Sequence, residues 1–471
     1  MPYSAPRHLL RRQLQGCLAL AACAGGHPLH RFSTIGLLLL ALVGLPARAA
    51  PEPPQPLPAE DTSKLRVTLT RLGCGIGRCP QYSVQIEGSG RVVFDGGGDL
   101  PAGQRFPTSV YRRPPFFSPD VVVPGRQEDH VPPEAVAALA HRFEEAHFFD
   151  LADSYVAMVT DEPNYSLTLE TDRGTKHVED YAGTRVGMPA VVRTLEDEVD
   201  RVANTARWVD GAPGLIDWLA ATGFDFTSVS AAAIALHGPD VPPTETLLGM
   251  IDRGLPLETV TKGRDGQSDS LLGLDLLRDA IQEGRAQIFQ RLAAAGWLAR
   301  LRAGEANHLF ARWGAGCDPA LAEAAVAAGI PVDAVTVAEP SRQSVGGQTA
   351  LAALQTFRWK PRDARLATAK RLLALGANPN HCDRRGRTPL FEADDFDMVE
   401  TLLANGADVT IRDESGLGPV FATWNDAIVV RLLQAGASPE GRDEDGHTLS
   451  ERATLYAMPA TARWLAAHSS K

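Results

Sequence analysis

"RLLALGANPNHCDRRGRTPLFEA", residues 371–393, returns as "TLLANGADVTIRDESGLGPVFAT" at 401–423 and as "RLLQAGASPEGRDEDGHTLSERA" at 431–453. Gly376, Gly406 and Gly436 keep a period of 30 residues, as do Gly386, Gly416 and Gly446, and Asp383, Asp413 and Asp443. Self-similarity at a fixed period of this length marks a stack of supersecondary units rather than one globular core. The residue types assign the parts of each unit. Thr388-Pro389 opens a first helix, where proline is tolerated. Leu402 and Leu403 bury a second helix, and Gly406 takes the left-handed position that ends it. "ADVTIRDESG" then projects as a hairpin finger.

The pattern closely resembles the ankyrin repeat, with its G-x-T-P-L, L-L-x-x-G-A-D and closing Asp. Gly386 to Leu390 is the best copy, and the motif degrades to Gly418-Pro419-Val420 and Thr448-Leu449. The period is about three residues short, which predicts a trimmed first helix or helix junction. Apolar residues at matching offsets before Gly223, Gly254, Gly296 and Gly329 extend the series upstream to seven degenerate units. "TARWLAAHSSK" reads as a terminal cap helix. Residues 211–471 are therefore expected to form an all-α, ankyrin-like solenoid. The resemblance implies protein binding rather than catalysis. The candidate finger-tip residues are Arg384, Arg385, Arg387, Arg412, Glu414, Arg442, Asp443, Glu444 and Asp445. Their charge suits both partner binding and plain solubility.

Upstream, residues 64–207 read as an α+β domain, a small antiparallel sheet with two helices. "LRVTLTR", "QYSVQIE" and "RVVFDG" alternate with the strand period, and "NYSLTLET" and "TKHVEDY" form a second hairpin. One helix opens at Val131-Pro132-Pro133 with Val136, Leu139, Phe143 and Phe148 on its stripe. Another spans residues 189–202 with Val191, Leu195, Val199 and Val202. Residues 101–129 read as a loop insertion. "CGIGRCPQYSVQIEGSGRVVFDG", "TDEPNYSLTL" and "GTKHVEDY" resemble a family of exported bacterial domains of unknown function, of the 6438 type. This chain departs from it in having four residues between the cysteines and in the long insert. The resemblance implies a fold and no reaction.

Cys74 and Cys79 flank Gly75-Ile76-Gly77 between two strands. They could be a redox pair, half a metal site or a crosslink. A redox pair calls for C-x-x-C at a helix start, and a metal site needs further ligands. Two glycines let the chain turn back to the separation a disulfide needs, about 5.5 Å between Cα atoms. The spacing favours a structural disulfide. "HRFEEAH" places His141 and His147 about 240° apart on a helix, so they share no face. Asp161, Lys176, Asp180 and Tyr181 are the polar residues to watch, with Asp161, Lys176 and Tyr181 the candidate ligand set. No nucleophile–base pair, metal constellation or cofactor motif emerges, and no catalytic residue is assigned.

The compartment follows from the start of the chain. Residues 1–49 hold no Asp or Glu; an apolar run from Ile35 to Leu45 ends in Ala47-Arg48-Ala49. This is the layout of a signal peptide, and the run is shorter than the roughly 20 residues of a membrane span. Leu20-Ala21-Ala22-Cys23 offers a lipoprotein alternative at Cys23. Residues 50–63 are a proline-rich linker. Removal of residues 1–49 takes away five arginines and moves the formal net charge from −11 to −16. So acidic a chain is a poor nucleic-acid binder. The expectation is a periplasmic, monomeric, non-catalytic protein that binds another protein, in one version an immunity or chaperone-like factor. The alternative is an enzyme or small-ligand binder in the N-terminal domain, with the repeats as a targeting arm. Residues 211–471 are expected to fold and bind without 64–207.

Overall fold

The computed structural model describes residues 62–72, 79–96, 121–236, 242–262, 269–338 and 346–468. All of them fall in one compact unit, Pro58–Lys471. The signal peptide, Cys23, Cys74 and most of the linker lie outside the described residues.

The N-terminal region is built on strands β1 (Arg66–Leu72), β2 (Tyr82–Glu87), β3 (Arg91–Gly96), β4 (Gly125–His130), β5 (Ser154–Val156), β6 (Asn164–Thr171) and β7 (Gly174–Tyr181). Their order is β4-β3-β2-β1-β6-β7-β5. The sheet is larger than the small antiparallel one expected, and it is mixed, because β5 runs parallel to β7. Two strands escape the alternation test. The first, β4, reads GRQEDH and carries no apolar side chain, so it registered as part of the 101–129 loop. It is an edge strand whose side chains alternate between half-buried and exposed. The second, β5, is three residues long.

Side-chain alternation sends Val67, Leu69, Val84, Ile86, Val92, Phe94, Leu167, Leu169 and Val178 to one face, where all are buried. Helices α1 (Pro133–Glu145) and α2 (Ala190–Ala203) cover it. In α1, Val136, Leu139 and Phe143 point inward, while Phe148 belongs to a separate 3-10 turn beyond the helix. The buried stripe of α2 is Val192, Leu195, Val199 and Val202, with Val191 only half-buried.

Trp208 joins this layer to the helices that follow. It is fully buried, stacks on Phe94 at 5.0 Å and meets Trp218 edge-on at 5.5 Å. The extended residues before β4 tie in as well: Val123 N–H donates to Trp208 O, and Val122 N–H to Val209 O. The apolar core therefore runs unbroken from the sheet into the first helices.

From residue 215 the chain alternates first and second helices. The second helices stack in series: Leu215–Ala221, Thr244–Asp252, Ala286–Ala294, Pro319–Ala327, Arg362–Ala374, Phe396–Ala404, Asp426–Gln434 and Pro459–His468. All seven glycines that the sequence placed at helix ends, from Gly223 to Gly436, have positive φ. Gly406 N–H donates to Leu403 O, and Ala407 N–H to Leu402 O, the paired bonds of a Schellman stop. In two of the three 30-residue copies the first helix is cut to one turn, Pro389–Glu392 and Pro419–Phe421, while in the third it runs over Leu449–Leu455. The solenoid is not purely helical. A two-stranded hairpin, Val260–Lys262 with Asp269–Leu271, occupies the longer spacing before Gly296.

Candidate protein-binding surface

Each finger is closed by its aspartate. Asp383 Oδ1 accepts from the amides of Arg385 and Arg387, at 2.8 and 2.9 Å. Asp413 repeats this with Ser415 and Leu417, and Asp443 with Asp445 and His447. The glycines Gly386, Gly416 and Gly446 supply the left-handed residue of each turn. Asp443 is thus a builder of its finger, not an offered charge. Arg412 and Arg442 are also partly committed, donating to Gly416 O and Gly446 O of their own fingers at 2.7 and 2.8 Å. Arg387 pairs with Glu392 at 3.4 Å and lies 3.7 Å from Asp413. Arg412 and Arg442 remain exposed, and beside them the exposed tip charges are Arg384 and Arg385 on one finger, Glu414 on the next, and Glu444 and Asp445 on the third. Arg385 and Glu414 stand 4.0 Å apart across adjacent fingers. The row changes sign along its length.

Between the second and third fingers lies a groove of about 230 Å³. Phe391, Leu417, Phe421 and Trp424 supply its apolar lining, and Asp443 to Asp445 form one lip. Trp424 is 56% exposed and packs edge-on against Tyr456 at 4.4 Å. Beneath it Arg452 is almost fully buried. Its Nη1 donates to Phe421 O at 2.7 Å and its Nη2 to Thr423 O at 3.4 Å. Burial holds this guanidinium below the ordinary arginine pKa, and Asp443 opposes the effect. Sequence reasoning missed Trp424 and Arg452. The available signal was an arginine on the apolar stripe of Leu449 and Ala453, where a charge needs a buried acceptor.

Asp443, Asp445 and His447 hold ligand atoms within 4.8 Å of one another, the one such group among the described residues. The set fits a cation poorly. Asp443 Oδ1 is spent on two amides, and Arg452 Nε sits 3.6 Å from Oδ2.

The proposed ligand set in the N-terminal region does not converge. Lys176 and Tyr181 lie five residues apart on β7, so their side chains point to opposite faces. Lys176 donates to Leu151 O and to Asp153, both at 2.5 Å. Tyr181 donates to Val159 O at 3.0 Å. Asp161 sits on a left-handed turn. The polar residues that do converge are structural. Arg71, Tyr82 and Thr205 all donate to Asp200, at 2.7 to 2.8 Å, and pin α2 to β1 and β2. Alongside, Asp180 and Glu196 are both buried and share Arg193, at 2.7 and 3.6 Å. Burial, then the charge of Asp180, pushes the Glu196 carboxyl up to about 7.

Fingers, stacked helix pairs and an inner groove define a protein-interaction solenoid carried beside an α+β domain. Residues 385–414 match the ankyrin repeat. Residues 65–203 match the family described as a domain of unknown function, DUF6438. No curated protein matches the chain in sequence. Among the described residues no helix is long and apolar enough to cross a membrane.

Proposed function

We propose that the chain is an exported, periplasmic, monomeric protein that captures another protein on its finger row and inner groove, without catalysis. The observation that carries this is the finger architecture. Asp383, Asp413 and Asp443 hold three consecutive turns rigid, so that Arg384, Arg385, Glu414, Glu444 and Asp445 stand preorganised in solvent. Capture by a rigid surface suits an immunity or chaperone-like role. Export rests on the apolar run and its Ala-x-Ala end, with lipidation at Cys23 as the competing outcome.

An oxidising compartment also supports the Cys74–Cys79 crosslink. Domain boundaries at 64–207 and 211–471 belong to the same proposal. A second reading places a small ligand in the N-terminal region. It is favoured by a groove of about 310 Å³ between the end of α1 and the β6–β7 turn, lined by Leu65, Phe143, Phe148 and Arg173.

The test is retention of a protein from periplasmic extract by the intact chain. R384E/R385E and E444K/D445K variants should each lose it. Equal retention by both variants rules out the finger row.

A further inference from the structure

We infer that the groove between the second and third fingers takes a basic, extended protein segment with an apolar side chain at its centre. This rests on the protein-binding reading above and names the chemistry of the partner.

The argument is one of uncompensated charge. Two cations border the groove, and both are engaged. Arg387 is matched by Glu392 and Asp413. Arg452 is buried and turned toward two backbone carbonyls. The carboxylates of Glu444 and Asp445 are exposed on the lip and make no ion pair among the described residues. What the groove offers a visitor is therefore negative. The whole chain carries a formal net charge of −11, which favours the approach of a cationic partner from a distance.

The floor sets the second requirement. Leu417 is half-buried, Phe421 nearly buried, and Trp424 stands 56% exposed as a wall. An exposed tryptophan beside a concave apolar floor is the type of side chain that anchors an interface. Tyr456 at 4.4 Å and the Arg452 guanidinium at 4.0 Å fix the Trp424 ring in place, which lowers the ordering cost of binding. An apolar side chain on Leu417, Phe421 and Trp424, flanked by lysine or arginine over Glu444 and Asp445, meets both demands.

The test uses the intact protein and fluorescein-labelled peptides: GKKLWKKG, its acidic counterpart GEELWEEG, and GKKGGKKG, which lacks the apolar centre. The first should bind, read by fluorescence anisotropy, and weaken as salt rises. The other two should bind at least about tenfold more weakly. E444K/D445K, on an exposed tip, and W424A should each weaken the first peptide about tenfold or more, with unchanged circular dichroism. The inference is overturned by equal or tighter binding of the acidic peptide, by indifference of GKKLWKKG to both variants, or by no binding of GKKLWKKG. Sedimentation showing self-association that W424A abolishes also overturns it, because a second copy is then the occupant. If the acidic peptide binds and R384E/R385E loses it, the protein-binding reading stands and this inference alone falls. If extract and peptides are all refused, both fall.

Discussion

The guanidinium of Arg452 lies 4.0 Å from the ring centroid of Trp424, and the same group donates to the carbonyl of Phe421. One buried cation therefore fixes both the floor and the wall of the groove. Arg452→Leu should destabilise the protein by roughly 2–4 kcal/mol, because it leaves the Phe421 and Thr423 carbonyls without their donor. Arg452→Lys should recover little of the loss, since a lysine lacks the planar fork that spaces two donors to the Phe421 and Thr423 carbonyls and the flat face that lies on Trp424. Urea denaturation followed by tryptophan fluorescence measures both.

Glu196 makes stability depend on pH. Its folded pKa, about 7, lies above the ordinary glutamate value of 4.5, chiefly through burial and then through Asp180. The native state keeps the proton where the unfolded chain has released it. This contribution is complete below about pH 4.5 and is lost as pH rises through 7, a swing of up to about 3 kcal/mol. Arg193 and Arg71 face the same carboxyl and moderate the shift, while the Asp197 charge adds to it. Glu196→Gln should flatten the pH 5–8 profile of the melting temperature and raise stability at its alkaline end.

Trp208 couples the sheet to the solenoid. Trp208→Ala should cost about 3–5 kcal/mol and lower the melting of both regions together, seen as one shifted calorimetric transition. A fragment starting at residue 211 lacks Trp208 and bares Trp218. Its first helix pair should melt earlier than the rest, and extending the fragment to residue 205 should reverse this.

Thiol reactivity should separate two cysteines cleanly. Cys317 and Cys382 are both free, the first buried and the second exposed. Burial pushes the Cys317 thiol up to about 11, which starves it of thiolate. Alkylation of the native, unreduced protein should label Cys382 quickly and Cys317 only on unfolding. If the proposed crosslink forms, Cys74 and Cys79 stay unlabelled until reduction. Rapid native labelling of either member of that pair removes it.

What the sequence displays is what a local period encodes. The strands at β1, β2, β3, β6 and β7 were legible because their apolar residues alternate. The helix stops were legible because Gly223 to Gly436 take the left-handed conformation that glycine adopts without steric cost. The strand β4 was not, since GRQEDH has no apolar face to reveal it, and β5 is too short to show a period. The finger charges could be counted, but not sorted into those that build turns and those that face solvent. Asp443 and Arg412 become structural only when their acceptors and donors are known. Trp424 and Arg452 gain their meaning from each other, 28 positions apart, and no local pattern carries that.

The two margins of the sheet have a bearing on life at high concentration. A seven-stranded layer ends in two rows of backbone groups that a neighbouring copy could use to lengthen it. One margin, β4, holds Arg126, Glu128 and Asp129, so an approaching strand must desolvate charge. The other, β5, is three residues long and gives an incoming chain too little to zip onto. The layer is thus guarded against polymerisation by polarity on one side and by brevity on the other.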